Sequence, residues 1–168
     1  MIDVHFSYIS VIIFILILCF RVVFHSRSKL GIRGELIWVD RGKETKPFFN
    51  SEYRVLGKPD LMYKIRSGIL AVEYKGRHGN IYQSDIFQAK TAALAARGSG
   101  YNVTKLLIKT DKYQRYVKLP KANKDLFKNI ERFVNIARSA SIGNKMKALP
   151  KKIKCRYCAF NYKCNNSY

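Results

Sequence analysis

Negative charge is what this sequence has least of. Eleven Asp and Glu stand against 32 Lys and Arg in 168 residues, a formal charge of +21. Such an excess repels itself in isolation and favours a polyanionic partner, either nucleic acid or an anionic membrane surface. Cysteine is scarce too: there are four, and three lie between Cys155 and Cys164. In a reducing, cytoplasmic setting that spacing speaks for metal ligation rather than disulfides. The length leaves room for one domain with a real core and excludes two. A cleaved signal peptide would carry basic residues ahead of its apolar run and small ones after it, whereas here Asp3 precedes the run and Arg21 and Arg27 follow. Wholesale disorder is excluded by an apolar content of 48%. The cations are spread along the chain from Arg21 onward, as on the surface of a folded domain rather than in one tail.

The N-terminal run is a separate piece. Tyr8 to Phe24 is almost wholly apolar, centred on Val11-Ile12-Ile13-Phe14-Ile15-Leu16-Ile17-Leu18. It is near the lower limit for spanning a hydrocarbon core of roughly 30 Å, and Arg21 can snorkel to the interface. Asp3 precedes the run, while Arg21, Arg27, Lys29 and Arg33 follow it, so the positive-inside rule keeps the remainder cytoplasmic. The expectation is a membrane anchor over residues 1–29, a transmembrane helix; the alternative is a buried core helix.

The stretch from Gly57 to Lys75 organises the rest. Gly57-Lys58-Pro59-Asp60 leads into an expected strand, Leu61-Met62-Tyr63-Lys64-Ile65. Ser67-Gly68 supplies a turn, and Ile69-Leu70-Ala71-Val72 runs as a second strand into Glu73-Tyr74-Lys75. Side chains two apart on a strand share a face, so Glu73 and Lys75 point together. Antiparallel pairing returns Glu73 to the level of Asp60. Two carboxylates and a lysine then meet at one sheet edge, the equipment for a hard divalent cation with an ammonium beside its water. Asp after Pro is also a common turn starter, and Glu-x-Lys is often a solvated strand end. The apolar run ahead of Glu73 decides between the two, because charges ending a buried strand are costly unless something binds there.

Around this hairpin, Glu35 to Asp40 and Ser51 to Leu56 read as strands. Glu35 is a candidate acidic neighbour of the site and equally a solvated carboxylate. Gly76-Arg77-His78-Gly79-Asn80 is a basic loop whose His78 could approach a phosphate or metal, though a lone loop histidine is expected to be simply exposed. Tyr82 to Arg97 is alanine-rich and helical, ended by Gly98 and Gly100, with Asp85 and Gln88 on one face. Tyr101 to Lys109 and Tyr113 to Leu119 read as strands joined at Thr110-Asp111-Lys112. Their basic and aromatic residues suit a nucleic-acid track or a lysine-protected edge. Pro120 to Ile142 reads as one amphipathic helix covering the sheet, with Leu126, Ile130 and Phe133 on its apolar side.

Pro59-Asp60, Glu73-x-Lys75, Gln88 in a following helix and the terminal Cys155-x-x-Cys158 with Cys164 occur in an order that resembles the PD-(D/E)xK nucleases. Within that superfamily they resemble the RecB-like, CRISPR-associated exonucleases and their membrane-linked relatives. The resemblance covers residues 30–168 and implies an α/β, restriction-endonuclease-like mixed sheet flanked by helices. It implies DNA phosphodiester hydrolysis by a Mg²⁺- or Mn²⁺-dependent enzyme of exonuclease type. Asp60, Glu73 and the backbone carbonyl of Tyr74 would hold the metal. Lys75 would orient or deprotonate the attacking water, and Gln88 would position substrate or water. Relatives commonly place a tyrosine four residues after the glutamine, where this chain has Ala92. They can carry an iron–sulfur cluster on four cysteines. Here the tail (about 150–168) offers Cys155, Cys158 and Cys164 for a cluster or zinc, and the remaining cysteine, Cys19, lies inside the expected anchor. Two other classes stay open at this stage: a silent nucleic-acid-binding module of the same fold, and a basic protein of anionic membrane surfaces.

Overall fold

Strand formation in the centre of the fold follows from one apolar segment. Gly68-Ile-Leu-Ala-Val-Glu-Tyr-Lys75 is the strand β5, buried from Leu70 to Glu73. The computed structural model describes residues 12–16, 31–144, 155–156, 158 and 161–164. Ahead of β5 come β1 (Glu35–Val39), β2 (Phe48–Asn50), β3 (Val55–Gly57) and β4 (Leu61–Ile65). After it come α1 (Gln83–Gly98), β6 (Val103–Thr110), β7 (Gln114–Lys118), α2 (Asn123–Lys128) and α3 (Glu131–Ser141). The architecture is α/β. Five strands form a mixed sheet in the order β1-β4-β5-β6-β7, flanked by helices, and β2 and β3 make a separate hairpin.

β5 pairs antiparallel with β4 and parallel with β6, so it is the central strand, as its unbroken apolar run requires. The turn before it needs glycine: Gly68 has φ +117°, and a Cβ there would meet Thr104 Cγ2 at 2.5 Å. One sheet face carries the buried cluster of Ile32, Tyr63, Leu70, Val72 and Leu107. The other carries Met62 and Ala71, paired across β4 and β5, with Leu106 beside them on β6. Helix α1 packs on that second face against β5 and β6, and also against the β2–β3 hairpin. A helix enclosed on two sides must be thin, which accounts for its alanines: Ala89, Ala92, Ala93, Ala95 and Ala96 are all buried. Ala92 meets Gly57 of β3, where an added Cβ would stand 3.1 Å from the Ala92 Cα. No aromatic ring fits at this contact, and position 92 holds alanine. Leu94, fully buried on the same helix, would cost about 2–5 kcal/mol if cut to Ala.

Three expectations are corrected. Ser51 to Leu56 is not a strand: residues 51–54 turn, Arg54 has φ 49°, and only Val55 and Leu56 continue into β3. The Asn50 side chain accepts from the Tyr53 N–H at 3.2 Å, a local bond that competes with a ladder. Pro120 to Ile142 is not one helix but two. Asn129 donates to the Asp125 carbonyl at 2.6 Å and Ile130 N–H bonds Phe127 O at 2.8 Å, closing α2. Leu126 and Ile130 are buried, whereas α3 carries no buried residue. The chain divides into two compact units, Met1–Ile130 and Glu131–Tyr168, and α3 belongs to the second. The third concerns the anchor. Residues 12–16 are helical and exposed, and among the described residues no helix is long and apolar enough to cross a membrane. The expected spanning helix has no support there; the remainder of Tyr8 to Phe24, with Cys19, lies outside the described residues.

Candidate active site

Asp60 is fixed by backbone on three sides. Its N–H donates to Val72 O at 3.0 Å, its carbonyl accepts from Asp40 N–H at 2.8 Å, and its Oδ2 accepts from Tyr74 N–H at 2.6 Å. Asp60 thus sits just ahead of β4, whose first residue, Leu61, pairs with Val72, and its N–H and carbonyl turn to opposite neighbours, β5 and the residue after β1. Along a strand a residue's N–H and C=O point to the same side. The Tyr74 carbonyl is therefore directed to the side of Asp60, beyond the end of β4.

Glu73 and Lys75, two apart on β5, share the face that meets α1. Lys75 Nζ lies 2.8 Å from Glu73 Oε1 and 2.8 Å from Gln88 Oε1. An ammonium has three N–H donors, so one is left to point outward. The Glu73 side chain is only 4% exposed and that of Lys75 19%. Burial pushes the Glu73 carboxyl above its ordinary range; the bond from Lys75 opposes this, and the charges of Asp60 and Asp85 add to it. Glu73 Oε2 and Asp60 Oδ1 have no hydrogen-bond partner among the described residues. Two carboxylates each keep one oxygen, next to a carbonyl, in a place where negative charge is under strain. That donor set fits a hard divalent ion. Among the described residues no cluster of three or more His, Cys, Asp or Glu is gathered for a metal.

The remaining candidates fall into place around these four. Asp85 pairs with Arg77 and accepts from the Tyr82 N–H at 2.8 Å, closing the first turn of α1. His78, with its side chain 90% exposed, lies 3.2 Å from Asp111, which also accepts from the Tyr74 hydroxyl. That bond to a carboxylate holds the Tyr74 phenol above its usual range. Glu35 pairs with Lys64, whereas Val39 pairs with Leu61, so Glu35 sits at the far end of β4 from Asp60. It is Asp40, five residues on, that reaches the site.

Asp40 and Lys58 are what the sequence reading missed. Lys58 Nζ bonds Asp40 Oδ1 and Gly42 O, each at 2.6 Å, with Thr45 O at 3.3 Å. The Lys58 ammonium beside Asp40 holds that carboxyl below its ordinary range. This brace joins the loop after β1 to the residue two positions before Asp60. Its only signal in the sequence was a lysine within Gly57-Lys58-Pro59-Asp60.

Cys155, Cys158 and Cys164 carry free thiols and belong to the second unit. Cys158 N–H bonds Cys155 O at 3.1 Å, Asn161 N–H bonds Cys158 O at 3.0 Å, and Cys164 N–H bonds Asn161 O at 3.2 Å. Successive turns of three residues thus keep the cysteines close along the chain.

No family model matches the chain, and no curated protein matches it. Among solved structures, the crystal structure of SSO0001 is similar, at 12% sequence identity, a TM-score of 0.40, and coverage of 80% of this chain and 59% of that one. This chain thus spans less than two thirds of that protein's length, and a likeness of this grade carries no argument about fold or chemistry.

Proposed function

We propose that this protein is a metal-dependent deoxyribonuclease of the PD-(D/E)xK type, with a restriction-endonuclease-like fold. The observation that carries the reading is the meeting of Asp60, Glu73, Lys75 and Gln88 at the end of β5, with Lys75 bonded to both Glu73 and Gln88 at 2.8 Å. Asp60, Glu73 and the Tyr74 carbonyl would hold Mg²⁺ or Mn²⁺, which supplies Lewis acidity and a more acidic bound water.

The chain's own residues do the remaining work. Glu73 and Gln88 fix the Lys75 ammonium, so its third N–H is held ready for a phosphate oxygen or the attacking water. Positive charge set in advance where negative charge accumulates lowers the barrier without reorganisation. Tyr74 N–H and Asp40 N–H hold Asp60 from behind. The +21 charge draws in and retains a polyanion.

The cysteines of the tail are proposed to bind an iron–sulfur cluster or zinc, as a brace for the second unit. The run from Tyr8 to Phe24 is proposed to tether the chain to a membrane with the nuclease on the cytoplasmic side, supported by the cations that follow it. The test of the catalytic reading is cleavage of end-labelled single- and double-stranded DNA in Mg²⁺, Mn²⁺ or EDTA. Cutting in the metals and none in EDTA is expected; no cutting of any DNA in either metal would refute it.

A further inference from the structure

A second concentration of cations lies at the other end of the sheet. A cleft of about 460 Å³ opens there, lined by Arg97, Asn102, Thr104, Lys105, Lys118 and Lys121, and no carboxylate lines it. Lys105 of β6 and Lys118 of β7 are direct cross-strand partners. Like charges so placed destabilise a hairpin. Neither of them, nor Lys121, enters an ion pair among the described residues. Arg97 is held in place by neutral acceptors: the carbonyls of Val103, Pro120 and Lys121 and the Asn123 Oδ1. All five of its N–H donors are used without a carboxylate among them. Its charge therefore adds to the field of the three lysines. The lining has no aromatic ring on which a base could stack; beside the cations it offers the Ser67 and Thr104 hydroxyls, the Asn102 amide and the Leu119 side chain. Such a surface recognises phosphates rather than nucleosides.

We infer that this cleft is a second nucleic-acid contact, taking backbone phosphates of a strand whose scissile bond lies beside Glu73 and Lys75. The identity of the ligand rests on the nuclease reading. Ser67 lines the cleft next to the start of β5, and Lys75 ends that eight-residue strand. At about 3.3 Å per residue the two sites are at least roughly 23 Å apart. Lys105, in register with Leu70, lies on the sheet face opposite to Glu73 and Lys75, so the strand passes round the sheet edge. One strand of B-DNA advances about 3.4 Å per nucleotide, so the cleft lies at least about seven nucleotides from the reacting phosphate. Short substrates reach the active site alone; longer ones reach both.

The test is DNA binding by the full chain in EDTA, read by fluorescence anisotropy across a salt series. Labelled hairpin duplexes of about five and about sixteen base pairs are compared, bracketing the seven-nucleotide span. With Lys105→Ala/Lys118→Ala, the slope of log K against log salt should fall by about two on the long duplex and stay unchanged on the short one. Lys105→Glu places opposite charges across the strands, so it should weaken long-duplex binding without lowering the melting temperature. An unaltered slope on the long duplex overturns the inference, as does an equal loss on the short one. Binding of inorganic tripolyphosphate that responds to these substitutions while DNA binding does not also overturns it. The readout needs no cleavage. Cutting with an unaltered slope removes the cleft alone, and the expected fall in slope with no cutting in Mg²⁺ or Mn²⁺ removes the nuclease reading alone.

Discussion

Lys75 Nζ donates to Gln88 Oε1 at 2.8 Å, joining the central strand to the helix that follows it. Under the proposed nuclease reading, the task this bond gives Gln88 is to aim the ammonium rather than to touch metal. A hydrogen bond to a charged group is worth about 1.5–3 kcal/mol, roughly 10- to 100-fold in rate. Gln88→Ala should lower kcat by that factor and leave KM for DNA nearly unchanged. Steady-state kinetics check it; a rise in KM at constant kcat would place Gln88 in substrate binding instead.

Glu73 should weaken the metal-free protein at neutral pH. Burial raises its folded pKa above the ordinary 4.5. The folded state then holds the proton more tightly than the unfolded state. The contribution of this group is fully present below the unfolded pKa and is lost as pH rises through the folded one. Glu73→Gln should therefore melt a few degrees higher than wild type at pH 7 in EDTA. The gain should shrink toward zero by about pH 3.3, roughly one unit below the ordinary Glu value of about 4.3. Thermal melts at the two pH values read this directly, and a lower melting temperature at pH 7 would contradict it.

Lys58 should act on activity through Asp60. The brace to Asp40 and Gly42 sets the loop whose backbone supports the Asp60 carbonyl. Lys58→Ala should raise the Mg²⁺ concentration for half-maximal cleavage several-fold. Because Lys58 holds the Asp40 carboxyl low, the pair favours the fold above the unfolded pKa of Asp40, and this is lost as pH falls through the folded pKa. A metal titration of cleavage is the measurement, and an unchanged metal requirement would show the brace to be dispensable for the site.

What the sequence made legible was local. Asp60, Glu73 and Lys75 lie on one hairpin, so strand alternation and a two-residue turn were enough to bring them together. Gln88 needed only the helix that Tyr82 to Arg97 announces by its alanines. Long-range pairings were hidden. The Asp40–Lys58 brace joins residues 18 apart through a loop with no periodicity. The strand expected over Ser51 to Leu56 failed because an asparagine side chain captured the Tyr53 N–H, a choice that propensity does not record. The helix expected over Pro120 to Ile142 has a continuous apolar stripe, but a side-chain bond from Asn129 breaks it.

The tail should contribute stability and no chemistry. Cys155→Ser/Cys158→Ser should lower the melting temperature and remove bound iron or zinc from anaerobically purified protein, since a metal bound only by the folded state adds its binding energy to folding. Metal, sulfide and melting measurements on both proteins check this. A metal-free wild type whose double variant melts identically would show that the three thiols have no ligand.

The central claim is that Lys75 acts on the reacting phosphate while affinity comes from many dispersed cations. Single-turnover cleavage and DNA binding, measured side by side for wild type and Lys75→Ala, test it most directly. The account predicts at least a 100-fold slower cut, about 2.7 kcal/mol or more of lost transition-state stabilisation, with binding changed less than about threefold. Lys75→Ala protein that cuts at the wild-type rate would contradict it.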